Sequence, residues 1–152
     1  MTSIEHDSTT YPDAFTTKVE LHEDMKALVR ECILNNSDVR IETNDAEMKY
    51  EPKGQALEVG LINFLVDNKE DVLNSLIERN RNQPKLAMLP FDQVLKRKSF
   101  IRQIAGEASL ARIYVKGAPE SVVTCCTKTH DQSMEVKDLE DPELLLSNVV
   151  SH

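Results

Sequence analysis

The sequence predicts an α+β domain, an antiparallel β-sheet flanked by helices, and three observations carry that expectation. Apolar residues recur at helical spacing up to about residue 77 and again after Pro119. Three short runs rich in β-branched or aromatic residues, 85–91, 98–105 and 110–116, sit together between them. The regular strand–helix alternation that a doubly wound parallel sheet requires is missing.

In chain order, residues 1–17 are rich in Ser, Thr and Asp, and read as a flexible lead-in or a strand fragment awaiting a partner. Residues 18–152 read as one domain. Leu21, Met25, Leu28, Val29, Cys32 and Ile33 form one helical stripe that ends near Asn35, Asn36 and Ser37. Residues 39–43 and 48–51 alternate about a polar Asn44-Asp45 turn, as a short hairpin does. Gly54 opens a second helix over 55–67, with Leu57, Leu61, Phe64 and Leu65 as its apolar face and Ala56 and Gly60 as small surfaces for close approach. Val72, Leu73, Leu76 and Ile77 mark a third helix, which Pro84 closes. The 106–109 connector suits a hairpin between the last two strands. Pro119 fits the first turn of a short helix, and Asp141-Pro142 look like the cap and first position of another.

Composition narrows function. The chain has 152 residues, 18 Lys+Arg against 26 Asp+Glu, a net charge of −8 and 40% apolar residues, which suits one acidic globular domain. Such a balance disfavours a general nucleic-acid or anionic-membrane binder. No run approaches the roughly 20 apolar residues of a membrane span, and residues 1–10 lack a signal-peptide pattern, so the chain reads as soluble. Cys32, Cys125 and Cys126 form no C-x-x-C pair, and adjacent cysteines pair only with strain, so a reducing compartment fits. His6, His22, His130 and His152 show no metal-binding spacing.

Against this acidic background, residues 79–102 carry Arg79, Arg81, Lys85, Lys96, Arg97, Lys98 and Arg102 as bases and Asp92 alone as an acid. A charge run is most often a solvated face; the sharper reading is a site for a small anionic ligand. Phe91, five residues before Lys96, adds a platform on which a base can stack, worth about 1–3 kcal/mol. Lys116 stands at the rigid end of a strand, before a glycine that lets the chain turn and a ligand approach the backbone, and a proline that starts a helix. Neither common phosphate-loop pattern is present.

Three segments, in order, carry a resemblance. Lys116-Gly117-Ala118-Pro119-Glu120 resembles the K-G-A-P-E motif of the nucleotide-binding domain of P-type cation-transporting ATPases. Residues 90–97, Pro-Phe-Asp-Gln-Val-Leu-Lys-Arg, are similar to that family's P-F-[DNS]-x-x-x-K-[RK] strand and loop. Residues 54–61 are similar to its G-x-x-[TS]-E-x-A-L helix start. The resemblance implies a nucleotide-binding domain over 18–152 with an adenosine pocket. Phe91 would stack on adenine, Glu58 accept from its amine, Lys96 lie along the base and phosphate path, and Lys116 with the Gly117 backbone form the floor. Leu57 replaces a hydroxyl residue, weakening polar contacts. Lys98 stands where the family often has Met or Gln, adding phosphate affinity.

The resemblance further implies ATP, used as Mg-ATP by the full-length pump, with its γ-phosphate delivered to an aspartate in a separate domain. The phosphorylation and actuator domains of the same chain would be the partners, and the setting would be the cytoplasmic side of a membrane protein. Calcium is the preferred ion. The family's D-K-T-G-T and G-D-G-x-N-D segments are not in these residues, and its domain continues with a phosphate-contacting arginine, implying a fold truncated at His152. The alternative is a non-enzymatic module whose basic region binds an acidic or phosphorylated protein segment.

Overall fold

The structure, a computed structural model, describes residues 4–6, 9–11, 23–44, 49–130 and 133–150. The boundary expected between residues 17 and 18, and the helix start expected at Leu21, lie outside these. The chain divides into two compact units, Met1–Pro84 and Lys85–His152.

In the first unit, β1 (Ile4–His6) and β2 (Thr9–Tyr11) form an antiparallel pair, as do β3 (Arg40–Asn44) and β4 (Lys49–Lys53). The helices are α1 (Glu23–Asn35), α2 (Ala56–Asp67) and α3 (Val72–Asn82). Their core gathers Ile33, Leu34, Val39, Ile62, Leu65, Val72 and Leu76. The Asp71 carboxylate caps α3 by accepting the Asn74 N–H at 3.2 Å.

Two sequence expectations for α2 are corrected. Its fully buried residues are Glu58, Ile62 and Leu65; of the predicted stripe Leu65 is buried and Leu61 and Phe64 pack against the core, but Leu57 is 67% exposed and Glu58 takes the inward place beside it. The side chain of Glu58 can turn inward because its Oε2 accepts the Asp38 backbone N–H at 3.0 Å, which gives a buried carboxylate a partner. Gly60 offers no close approach: it is exposed, and a Cβ built on it meets nothing within 4 Å.

In the second unit, β5 (Lys85–Asp92), β6 (Arg97–Ile104) and β7 (Glu107–Gly117) make an antiparallel sheet in the order β5-β6-β7. Gly106, at φ 80°, sits in the two-residue turn between Ile104 and Glu107, where only glycine adopts that backbone easily. The β6–β7 register runs without interruption from Arg97↔Gly117 to Gln103↔Ala111, and then shifts before Ile104↔Glu107, leaving residues 108–110 of β7 as an irregularity in the strand. Then follow α4 (Pro119–Val123), the small antiparallel pair β8 (Lys128–His130) and β9 (Val136–Asp138), and α5 (Pro142–Val150). Asp141 Oδ1 accepts the Leu144 N–H at 2.8 Å, the cap that the Asp-Pro pair predicts. The described elements are thus α+β with antiparallel strands and five helices.

Candidate functional site

Five of the six predicted site residues, Phe91, Lys96, Lys98, Lys116 and Gly117, lie in the second unit, on the sheet and its β5–β6 loop. Glu58 lies in the first, 2% exposed, with the Asp38 contact described above.

Phe91 owes its position to a bulge. Between Leu89↔Ser99 and Asp92↔Arg97, β5 has one more residue than β6, which places Pro90 and Phe91 at the irregularity. Proline has no N–H to contribute to a ladder, and a bulge re-aims the side chain beside it. The Phe91 ring is 56% exposed, and every other residue of β5 is exposed as well. Asp92 then turns the chain, its Oδ1 accepting the N–H groups of Val94 and Leu95, each at 2.8 Å.

Lys96 ends that turn at φ 47°, a left-handed conformation that costs a non-glycine residue about 1–2 kcal/mol. Contacts with the segment after β7 hold it there. Its carbonyl accepts the Ala118 N–H at 3.0 Å, and its Nζ lies 3.2 Å from Glu120 Oε1. Alongside, the Ser121 hydroxyl donates to the Leu95 carbonyl, and the Arg97 guanidinium donates to Cys125 Sγ. The loop and the start of α4 are therefore stapled together.

Gly117 explains the closeness of that staple. Its φ is not in the left-handed region, so the expectation that it serves as a turn residue is corrected. A Cβ built there would lie 2.2 Å from the Lys96 carbonyl oxygen and 2.8 Å from Arg97 Cα. The backbone that approaches this glycine is the protein's own β5–β6 loop.

Lys98 and Lys116 are directly opposite on β6 and β7, and their ammonium groups stand 4.9 and 5.1 Å from the centre of the Phe100 ring. Like charges facing across a ladder repel, and a shared ring offsets this by about 0.5–2 kcal/mol per cation. Lys98 is 7% exposed and Phe100 is fully buried. The register continues the pattern with Phe100↔Tyr114 and Arg102↔Arg112, so this sheet face is lined by bases around two rings. Sequence reading missed Phe100. Its signal was the alternation Lys98-x-Phe100, which puts both side chains on one face of a strand.

The Glu120 carboxyl is held below its ordinary value, first by a hydrogen bond from its own backbone N–H and then by the Lys96 side chain. A depressed carboxylate contributes above the unfolded-state value and loses that contribution as pH falls through the folded one. The Lys96 contact should accordingly weaken only in acid, below the ordinary glutamate range. In an NMR titration, the Glu120 midpoint should lie below that of a free glutamate and rise part of the way in Lys96→Met, since the backbone bond remains. An unchanged midpoint in Lys96→Met would show that the ion pair is not formed.

An open cleft of about 810 Å³ between the β8–β9 pair and α5, lined by Lys128, Val136, Leu139 and Leu144 among others, contains none of the predicted site residues. Among the described residues no helix is long and apolar enough to cross a membrane.

Fold and site together define an α+β domain with a cationic sheet face and a stapled basic loop. The model of the family described as P-type ATPase, cytoplasmic domain N, matches residues 24–144, and the chain belongs to that family. Nucleotide binding within a full-length pump, with the pump's other domains as partners, comes with that membership. A search of curated proteins finds no match to the chain.

Proposed function

We propose that this chain holds ATP, as Mg-ATP, for a P-type cation pump and presents its γ-phosphate to an aspartate in a separate phosphorylation domain. The supporting observation is the Lys98–Lys116 pair over Phe100, on the sheet that also carries the bulged, exposed Phe91. Phe91 stacks on the adenine. Lys96, Lys98 and Lys116 provide cations for the phosphates, and Gly117 keeps the Lys96 loop close to the strand end. The chain's contribution is to bind and orient, while covalent chemistry takes place on the distant aspartate. We propose calcium as the transported ion; its test is calcium-dependent phosphorylation of the full-length pump.

Stacking of about 1–3 kcal/mol and charge-assisted hydrogen bonds of about 1.5–3 each stand against an association cost of roughly 4–15. Weak binding follows, between about 0.1 and several mM, where 1 mM corresponds to about −4.1 kcal/mol. An NMR titration of the full chain with ATP, adenosine and inorganic triphosphate tests this. Phe91→Ala should weaken ATP about fivefold to a hundredfold, the loss of one stacked base. Lys116→Ala should weaken ATP and triphosphate about tenfold or more. Equal affinity for triphosphate and ATP, with Phe91→Ala silent, would favour the basic-patch module instead. Glu58→Gln keeps an acceptor for the Asp38 N–H, so a selective loss of adenine-containing ligands would assign Glu58 to base recognition.

A further inference from the structure

The tip of the β5–β6 loop is apolar. Val94 is 89% exposed and Leu95 is exposed beside it, and the two stand between Asp92 on one side and Lys96-Arg97 on the other. The staple to α4 holds the backbone beneath them, with the Ala118 N–H on the Lys96 carbonyl and the Ser121 hydroxyl on that of Leu95. Single apolar side chains in water are ordinary, whereas contiguous ones rimmed by charge mark interaction sites. The open cleft between the β8–β9 pair and α5 has the matching form. At about 810 Å³ it lies within the range of sites that enclose a ligand. Its apolar lining is Val136, Leu139, Leu144 and Leu145. Lys128 and Lys137 stand on its hairpin, and the acids Asp138, Glu140 and Asp141 run from the end of β9 to the cap of α5. No residue of 92–97 lines this cleft, so the chain's own loop leaves it open.

We propose that this cleft takes the β5–β6 loop of a second copy of the chain. Complementary charge selects that occupant. Val94 and Leu95 enter the apolar lining, Lys96 and Arg97 face the acidic rim, and Asp92 faces the lysines of the hairpin. Lys96 need not give up Glu120 to do so, because an ammonium has three donors. Loop and cleft are different surfaces, so the contact closes as a dimer where two copies exchange loops about a two-fold axis and extends from copy to copy otherwise.

Such a contact opposes nucleotide binding, since the loop that enters the neighbouring cleft carries Lys96 and adjoins Phe91. A lysine facing a neighbour's carboxylates is withdrawn from phosphate oxygens, and by linkage bound ATP disfavours the association to the same degree. This competition rests on the nucleotide reading, whereas the association itself does not.

Sedimentation equilibrium of the full chain, from about 0.02 to 1 mM, is the test. A contact made by one loop falls short of the roughly 1,200 Å² of stable complexes, so association should emerge toward the upper end of that range. Salt at about 1 M, where charges are screened beyond about 3 Å, should weaken it. Val94→Asp and Leu144→Asp change exposed side chains, and each should weaken self-association about tenfold or more by placing a carboxylate in the apolar contact. Mixed together, the two variants should associate again, because one keeps an intact cleft and the other an intact loop, and that recovery shows both to be folded. A chain that stays monomeric at about 1 mM, or an association that neither variant weakens, would overturn the proposal, the latter by placing the contact elsewhere, such as on a sheet edge. Loss in only one of the two variants would overturn the pairing of loop with cleft. Saturating ATP should lower self-association of the wild type, and Leu144→Asp should bind ATP normally. ATP that binds without lowering it would overturn the competition, and association of a folded chain that binds no ATP would uphold the contact and reject the nucleotide reading.

Discussion

Gly117→Ala is expected to lower stability by about 1–3 kcal/mol, the usual range for forced overpacking, and to weaken ATP binding well beyond what a methyl group alone could do. The new Cβ would stand 2.2 Å from the Lys96 carbonyl oxygen and 2.8 Å from both Cα and Cβ of Arg97. Two of these three atoms are backbone and the third is fixed to it, so no flexible side chain can simply move aside. The loop must retreat, which stretches the Ala118 N–H bond to Lys96 and separates Lys96 from Glu120. Denaturant unfolding should show the loss, and amide shifts should concentrate at residues 93–97 and 118–121. Gly60→Ala supplies the contrast: with nothing within 4 Å and a place inside α2, it should stabilise the chain by about 0.5–1 kcal/mol. If both variants behaved alike, the close approach at Gly117 would be wrong.

The two glycines show what could be read in the sequence and what could not. Elements announced by local chemistry were legible: the Asp-Pro start of α5, the proline opening α4, the three β-rich runs and the hairpin at residues 40–53. Each depends on the preference of a few neighbouring residues. The first turn of α2 was not legible, because Leu57 and Glu58 are adjacent and hydrophobicity alone points the leucine inward, although Leu61, Phe64 and Leu65 do pack on the core. A tertiary hydrogen bond from Asp38, 20 residues away, reverses that choice. The role of Gly117 escaped for the same reason, since its neighbour in space is 21 residues earlier in the chain. Around the candidate site, motif spacing singled out Phe91, Lys96 and Lys116 as candidates, but the ring that Lys98 and Lys116 share is set by cross-strand register. Register depends on turn and bulge geometry, which residue type does not display.

Arg79→Ala is expected to be the most damaging substitution in the first unit, at about 3–5 kcal/mol, the cost of breaking a buried charged contact. The sequence placed Arg79 in the cationic run, as if its charge were available to a ligand. Instead its guanidinium is buried at the end of α1. It donates to the Leu34 carbonyl at 2.5 Å and lies 3.3 Å from the Ser37 carbonyl oxygen, while its other nitrogens reach Asn80 Oδ1 at 2.9 and 3.2 Å. The last carbonyls of a helix have no partner within it, and a planar cation can serve several at once. Alanine would leave those oxygens buried without that donor and open a void beside the core. Lysine would keep the charge but lose the fork, so Arg79→Lys should fall between alanine and wild type. Equilibrium unfolding of the three proteins decides the order, and a loss below about 1 kcal/mol in Arg79→Ala, within reach of an exposed pair, would place the guanidinium at the surface. A second readout separates structure from ligand chemistry. Measured where Arg79→Lys remains folded, ATP affinity and its salt dependence should match wild type, because a cation already engaged by helix carbonyls contributes little to a phosphate. A parallel fall in affinity would return Arg79 to the ligand-facing bases and shift the anion site toward the end of α3.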